Sequence, residues 1–170
     1  MENARDFARL EAVGSGCPFS EDLRDRLGAT PMFADLSWPE LKAVAAYLRT
    51  YRVSPGAEIF AEGDAGDYLG LVLEGRVEVF KRDRDENRQL VGTITAGKTF
   101  GEMALLDGER RSAGCVAAVE TTLAVLSRGN FDKLLHETPA LGVKLLHKLA
   151  RVLSQRLRVA SGQLVDFIGH

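Results

Sequence analysis

From Tyr51 to Leu126 apolar and polar positions alternate in short runs. The runs break at Ser54-Pro55-Gly56, Gly63 to Asp67, Glu74-Gly75, Arg82 to Arg88, Ala96-Gly97 and Asp107 to Arg110. Turn signals at intervals of roughly ten residues predict an all-β barrel, roll or sandwich. In LVLEGRVEVF, Glu74-Gly75 reads as a hairpin turn joining Leu71 to Leu73 with the alternating strand Val77, Glu78, Val79. Gln89 to Thr95, Ser112 to Val119 and Thr122 to Leu126 supply further strands.

Outside this region the period becomes helical. Ala4, Phe7, Leu10 and Val13 predict a short helix over Glu2 to Val13, stopped by Gly14, Gly16 and Pro18, and a second short piece covers Glu21 to Leu27. Ser37-Trp38-Pro39-Glu40 is a helix start, with Ser37 as cap, Glu40 closing the capping box and Leu36 stapled to Leu41. That helix buries Leu41, Val44, Ala45 and Leu48. After Leu126 come Phe131, Leu134 and Leu135, then Thr138-Pro139 opening a long helix. Its seam, Leu146, Leu149, Leu153, Leu157, Ala160, Leu164 and Phe167, suits two uses, packing over the β region and pairing with a second copy.

Composition narrows the classes. A chain of 170 residues, 45% hydrophobic, 27% charged and with net charge −2, is expected to bury one core and has no bulk attraction to nucleic acid. The N-terminus lacks a signal-peptide run and no stretch suits a bilayer, so a cytoplasmic location without membrane contact is expected. Cys17 and Cys115 are far apart and lack nearby histidines, so neither a disulfide framework nor a zinc site is expected. No histidine lies between Tyr51 and Leu126, which removes the ligands a metal-dependent cupin needs, and no nucleophile and base pair is evident for catalysis.

The chemistry concentrates in FGEMALLDGERRSAGCV, Phe100 to Val116. Gly101 removes bulk before GEMALL, a run of helix formers whose first amides attract an anion. Arg111, beyond the Asp107-Gly108 turn, offers a planar fork of donors to phosphate oxygens, and Ser112 adds a hydroxyl or amide. Glu102 repels phosphate but accepts from a sugar hydroxyl. One phosphate, one sugar hydroxyl and an apolar wall describe a small nucleotide.

FGEMALLDGERRSA resembles the phosphate-binding cassette of the cyclic nucleotide-binding domain family. The resemblance runs from Leu36 to about Arg156 and takes in IFAEGDAGD at Ile59 to Asp67 and the LVLEGRVEV stretch. It implies a mainly β fold with flanking helices: an eight-stranded antiparallel β-roll with N-terminal helices, a short cassette helix and a long C-terminal helix. It places the ribose-binding glutamate on Glu102, the phosphate-binding arginine on Arg111, the small residue after it on Ser112, and backbone contacts on Gly101, Met103 and Ala104. Arg110 stands where one branch has proline and reads as a solvated neighbour; Gly114 stands where a threonine or bulkier residue is frequent. In the activator-like branch the final helix helps read the base, and those positions fall on Arg156 and Leu157. Arg156 either stacks on a purine or sits on a solvated face. Val91 and Ile94 either form the apolar wall or pack in the core.

The expectation is therefore an N-terminal helical extension over 1–30, a cyclic nucleotide-binding roll with flanking helices over 31–137, and a long helix over 138–170 that acts as lid and dimer seam. The ligand is cAMP first and cGMP second, with no cofactor and no metal, and binding is relayed through the C-terminal helices to an unidentified downstream protein. The chain ends at His170, leaving no room for the helix-turn-helix domain of activator-like transcription factors, so direct DNA binding is not expected. The competing reading is a nucleotide-independent scaffold that dimerises through the last helix.

Overall fold

The computed structural model describes residues 11–12 and 21–168. The helix expected over Glu2 to Val13 lies outside the described residues except at Glu11–Ala12, which form a short strand, β1. Then follow α1 (Glu21–Gly28), α2 (Trp38–Ala45), β2 (Arg49–Val53), β3 (Glu58–Phe60), β4 (Tyr68–Glu74), β5 (Arg76–Arg82), β6 (Arg88–Thr95) and β7 (Thr99–Phe100). The chain continues through α3 (Glu102–Asp107), β8 (Gly114–Ala117), β9 (Thr121–Ser127), α4 (Arg128–Glu137) and α5 (Pro139–Ile168).

Among the described residues the strands form two antiparallel sheets, in the orders β1-β2-β9-β4-β7 and β3-β8-β5-β6. The eight strands β2 to β9 are the expected roll, and β1 extends it by pairing Glu11 with Arg52. Tyr51, Val53, Tyr68, Val72, Phe100, Leu123 and Val125 from one sheet meet Ile59, Phe60, Val77, Cys115 and Ala117 from the other in a single buried cluster. Period-2 alternation in both sheets turns these side chains inward, and their removal from water drives the two sheets together.

One expected connection is different. Glu74-Gly75 does not close a hairpin, because β4 belongs to the five-stranded sheet and β5 to the four-stranded one. Gly75 is a corner where the chain changes sheets. Its φ is +92°, and a Cβ there would lie 2.5 Å from Glu120 O and 2.6 Å from Thr121 Oγ1. The buried Thr121 hydroxyl locks the corner, accepting from Arg76 N at 3.2 Å and lying 3.2 Å from Arg76 O and 2.9 Å from Val119 O. The hairpin is the next one, β5 to β6, registered from Arg76↔Thr95 to Arg82↔Arg88. Its loop is held by Asp83 Oδ1, which accepts from Asp85 N and Asn87 N, each at 2.9 Å. The break read at Arg82 to Arg88 falls at this tip.

α2 starts where its cap dictates. Glu40 accepts from Ser37 N at 2.8 Å and Ser37 Oγ at 2.9 Å, and Val44 and Ala45 are buried. Leu41 and Leu48 are half-buried, and α2 ends at Ala45, before Leu48.

The chain divides into two compact units, one ending at Asp132 and one beginning at Lys133. In the second, Thr138 does not cap α5 with its side chain; both its N–H and its hydroxyl donate to Leu134 O at 2.9 Å, closing α4. Gly142 lets the start of α5 pass close to α4, since a Cβ there would lie 2.7 Å from Leu135 Cδ2. Of the expected α5 seam, Leu149 is buried and Leu153 half-buried, whereas Leu146, Leu157, Ala160 and Leu164 are exposed; the Phe167 side chain lies outside the described residues. Among the described residues no helix is long and apolar enough to cross a membrane.

Candidate functional site

The cluster read from Phe100 to Val116 folds as one compact turn of chain. β7 delivers Phe100 into the roll interior, and Gly101 then takes a left-handed φ of +75°. A Cβ on Gly101 would lie 2.6 Å from Arg111 Nη1, so this position needs glycine for both its conformation and its neighbour. α3 follows for six residues and stops at Gly108, whose N–H donates to Ala104 O at 3.1 Å. Asp107 Oδ1 then accepts from Glu109 N at 2.9 Å, turning the chain back toward Arg111.

Arg111 is buried, with 3% of its surface exposed. Its Nη1 donates to Tyr68 O at 2.8 Å and Gly101 O at 3.0 Å. The guanidinium carbon lies 4.0 Å from the Phe60 ring centroid and 4.4 Å from that of Tyr68. Two ring faces and two carbonyls therefore hold the cation by cation–π attraction and charge-assisted hydrogen bonds. Its backbone is fixed as well: Arg111 N donates to Asp64 O and Gly63 N to Arg111 O, each at 2.8 Å. Glu102, at the start of α3, is 1% exposed. Both charges are thus closed off from solvent.

Gly101, Glu102, Met103, Ala104, Arg111 and Ser112 come together in this turn. Ala104 is buried with Glu102, while Met103 and Ser112 are exposed, and the Ser112 hydroxyl donates to Met103 Sδ at 3.7 Å. Val91 is the unpaired extra residue of a β-bulge, since Val79 pairs with Gly92 and Phe80 with Leu90, and it is exposed. Ile94 pairs with Val77 and packs against the roll's core cluster. Gly114 is buried in β8; a Cβ there would meet Glu62 N at 3.4 Å, an ordinary contact. Arg156 is half-buried on α5 in the second unit.

Four features were not read from the sequence. Phe60 and Tyr68 belong to the roll's core cluster and are also the walls around Arg111. Gly66 lies in the IFAEGDAGD run, where a Cβ would come within 2.3 Å of Ala104 Cβ and 2.9 Å of Arg111 Nε. Arg110 is exposed, as expected of a solvated neighbour, but its Nη1 donates to Gly63 O at 2.8 Å. Arg128 donates from Nη2 to Ala104 O and, at 3.4 Å, to Gly66 O.

With the roll, the cassette turn and the inward arginine established, comparison with known proteins gives the class. Residues 51–138 match the cyclic nucleotide-binding domain family, and the chain belongs to it. It is similar to a solved cyclic nucleotide-binding domain from Methylobacillus flagellatus, with a TM-score of 0.83 and 31% identity, covering 98% of this chain and 96% of that one. The cyclic AMP receptor protein of Thermus thermophilus is 33% identical over 135 residues, which are 79% of this chain and 61% of that protein. Glutaminase 1 of Bradyrhizobium diazoefficiens is 30% identical over 178 residues, 96% of this chain but 28% of the enzyme. The chain thus spans less than two thirds of the two curated relatives. A receptor and an enzyme share this segment, so what they have in common with the chain is the domain, and neither protein's whole activity follows from it.

Proposed function

We propose that the domain binds a 3',5'-cyclic mononucleotide, cAMP in preference to cGMP, without turning it over, and acts in the cytoplasm as a regulatory module. The observation that carries this reading is the placement of Arg111, fixed by Tyr68 O, Gly101 O and two ring faces beside the turn that starts α3. A cation so held offers its planar fork to a phosphate with little orientational freedom left to lose. The amides of Gly101 to Ala104 face the same anion, Glu102 accepts from the ribose hydroxyl, and the exposed Ser112 hydroxyl lies next to Arg111. Its ability to reach a guanine amino group keeps cGMP as the second ligand. Val91 and Ile94 are the proposed apolar contacts to the base, with Arg156 as the residue that stacks on it. The similarity to a protein named for cyclic AMP favours adenine. With a net charge of −2, DNA contact forms no part of the proposal.

Both charges are buried, so ligand entry selects an arrangement in which they are reachable. That shift is the proposed signal, passed through α4 and α5 to a downstream protein. An unpartnered heptad seam on α5 supports a dimer as the other half of the reading: Val143, Leu157 and Leu164 are exposed with Leu146. The same seam suits the scaffold alternative, which needs no nucleotide.

The test is a titration of cAMP into the wild-type chain and an Arg111→Lys variant. Lysine keeps the charge but loses the fork, and a charge-assisted contact is worth about 1.5–3 kcal/mol, so affinity falls about tenfold or more. Equal affinities would remove Arg111 from the site.

A further inference from the structure

The first residue of α4 holds two parts of the cassette at once. The Arg128 backbone N–H donates to Asp67 O at 2.6 Å, while its Nη2 bridges Ala104 O on α3 and Gly66 O on the β3–β4 loop. Gly66 in turn lies against Arg111. Gly66 passes so close that a Cβ on it would lie 2.9 Å from Arg111 Nε, and the same Cβ would lie 2.3 Å from Ala104 Cβ. Ala104 O also accepts Gly108 N, the bond that ends α3.

A helix of six residues is too short to hold itself, because nucleation fixes several dihedrals for each hydrogen bond gained. Its carbonyls need external donors, and a cation at that end is favoured both as donor and by the helix dipole. Both bonds leave one nitrogen, Nη2, whose two N–H directions are fixed by the guanidinium plane; a lysine ammonium carries enough donors for both but holds them on a flexible stem that does not fix their directions.

We propose that Arg128 is a positioning residue for the nucleotide: by tying Ala104 O to Gly66 O it sets the spacing between the α3 amides and Arg111, so that one phosphate meets both. It touches no ligand itself and acts through those two carbonyls. This rests on the cassette being a cyclic nucleotide site.

The experiment uses the full chain as wild type, Arg128→Lys and Arg128→Met, with Thr121→Val as a control that weakens the distant corner. Each is titrated with cAMP and with the two diastereomeric cyclic adenosine phosphorothioates, in which sulfur replaces one or the other exocyclic oxygen; urea midpoints are measured in parallel. On the proposed geometry the α3 amides and Arg111 meet different exocyclic oxygens, so the wild type is expected to discriminate between the diastereomers, and equal affinities for the two would overturn the proposal. Arg128→Met is expected to lower cAMP affinity about tenfold and to reduce the discrimination at least threefold, with Arg128→Lys intermediate. Thr121→Val is expected to lower the urea midpoint and leave the discrimination unchanged. If the Arg128 variants lose stability but keep the wild-type discrimination, the role is structural and the proposal is overturned. If Arg128→Met does not fold, the ratio measured on Arg128→Lys decides in the same way. Failure of the wild type to bind any of the three ligands would instead overturn the nucleotide site itself, an outcome visible before any variant is made.

Discussion

Arg111 is a ligand group and a structural group together, and that decides how it must be tested. Truncation to alanine leaves Tyr68 O and Gly101 O without their donor and opens space between two rings, and each unsatisfied buried group costs about 1–3 kcal/mol. Arg111→Ala is therefore expected to lower the urea midpoint as well as nucleotide affinity, with Arg111→Lys the milder of the two in stability; equal midpoints for wild type and alanine variant would contradict the buried geometry. Gly66→Ala drives a Cβ toward Ala104 and Arg111, and is expected to weaken cAMP binding in a calorimetric titration more than Gly162→Ala, whose Cβ meets nothing within 4 Å. A third residue-scale prediction concerns pH. Asp83 is held below its ordinary value of 3.8 first by the hydrogen bond from Gln89 and then by Asn87 N. A depressed folded value means the contribution is present above the ordinary value and is lost as pH falls through the folded one. The amide signals of Asp85 and Asn87 should thus stay constant from pH 7 to pH 4 and shift together only below 3.8. At this scale the sequence was informative about charged residues and uninformative about their walls. Glu102 and Arg111 stand out because ionic side chains are unusual between apolar runs, whereas Phe60 and Tyr68 satisfy the strand pattern whether or not a cation sits between them.

Elements were legible in kind more than in connection. Alternation located β4, β5, β6, β8 and β9 but not the short strands β3 and β7 or β2, and the capping box at Ser37 and Glu40 located the start of α2. Glu74-Gly75 was misread because a positive-φ glycine serves a hairpin turn and a change of sheet equally well; only Thr121, forty-six residues onward, distinguishes them. Gly75→Ala should accordingly be severe, combining a left-handed φ of +92° with a backbone oxygen 2.5 Å from the new Cβ. The expected loss is about 2 kcal/mol or more, read from urea denaturation; a loss under 0.5 kcal/mol would show that the corner can relax. The exposure of Val91 has a similar origin. A bulge inserts one residue and reverses the inside-outside assignment beyond it, and nothing in RQLVGTIT marks where that occurs.

For the whole molecule the open variable is association. Val143, Ala150, Leu157 and Leu164 alternate with Leu146, Leu153 and Ala160 at steps of four and three, a heptad seam that is exposed along most of its length. The flanking positions carry His147, Ser154 and Ser161 on one side and Arg156 and Gln163 on the other, so a parallel pair would not set long rows of like charge against each other. The proposed dimer predicts that Leu157→Glu, or Leu164→Glu, converts a dimer to a monomer in sedimentation while leaving the fold intact. A wild-type chain that sediments as a monomer at micromolar concentration would contradict it. The sequence showed that α5 was amphipathic but drew the seam through Leu149, which is buried; periodicity alone does not separate two adjacent apolar stripes.

The central claim is nucleotide recognition, and calorimetric titration of the wild-type chain with cAMP, cGMP and a cyclic dinucleotide tests it most directly. The account predicts saturable binding of one cAMP per chain, weaker binding of cGMP, and none of the dinucleotide. Absence of heat and saturation with all three ligands would contradict it and leave the domain as a scaffold.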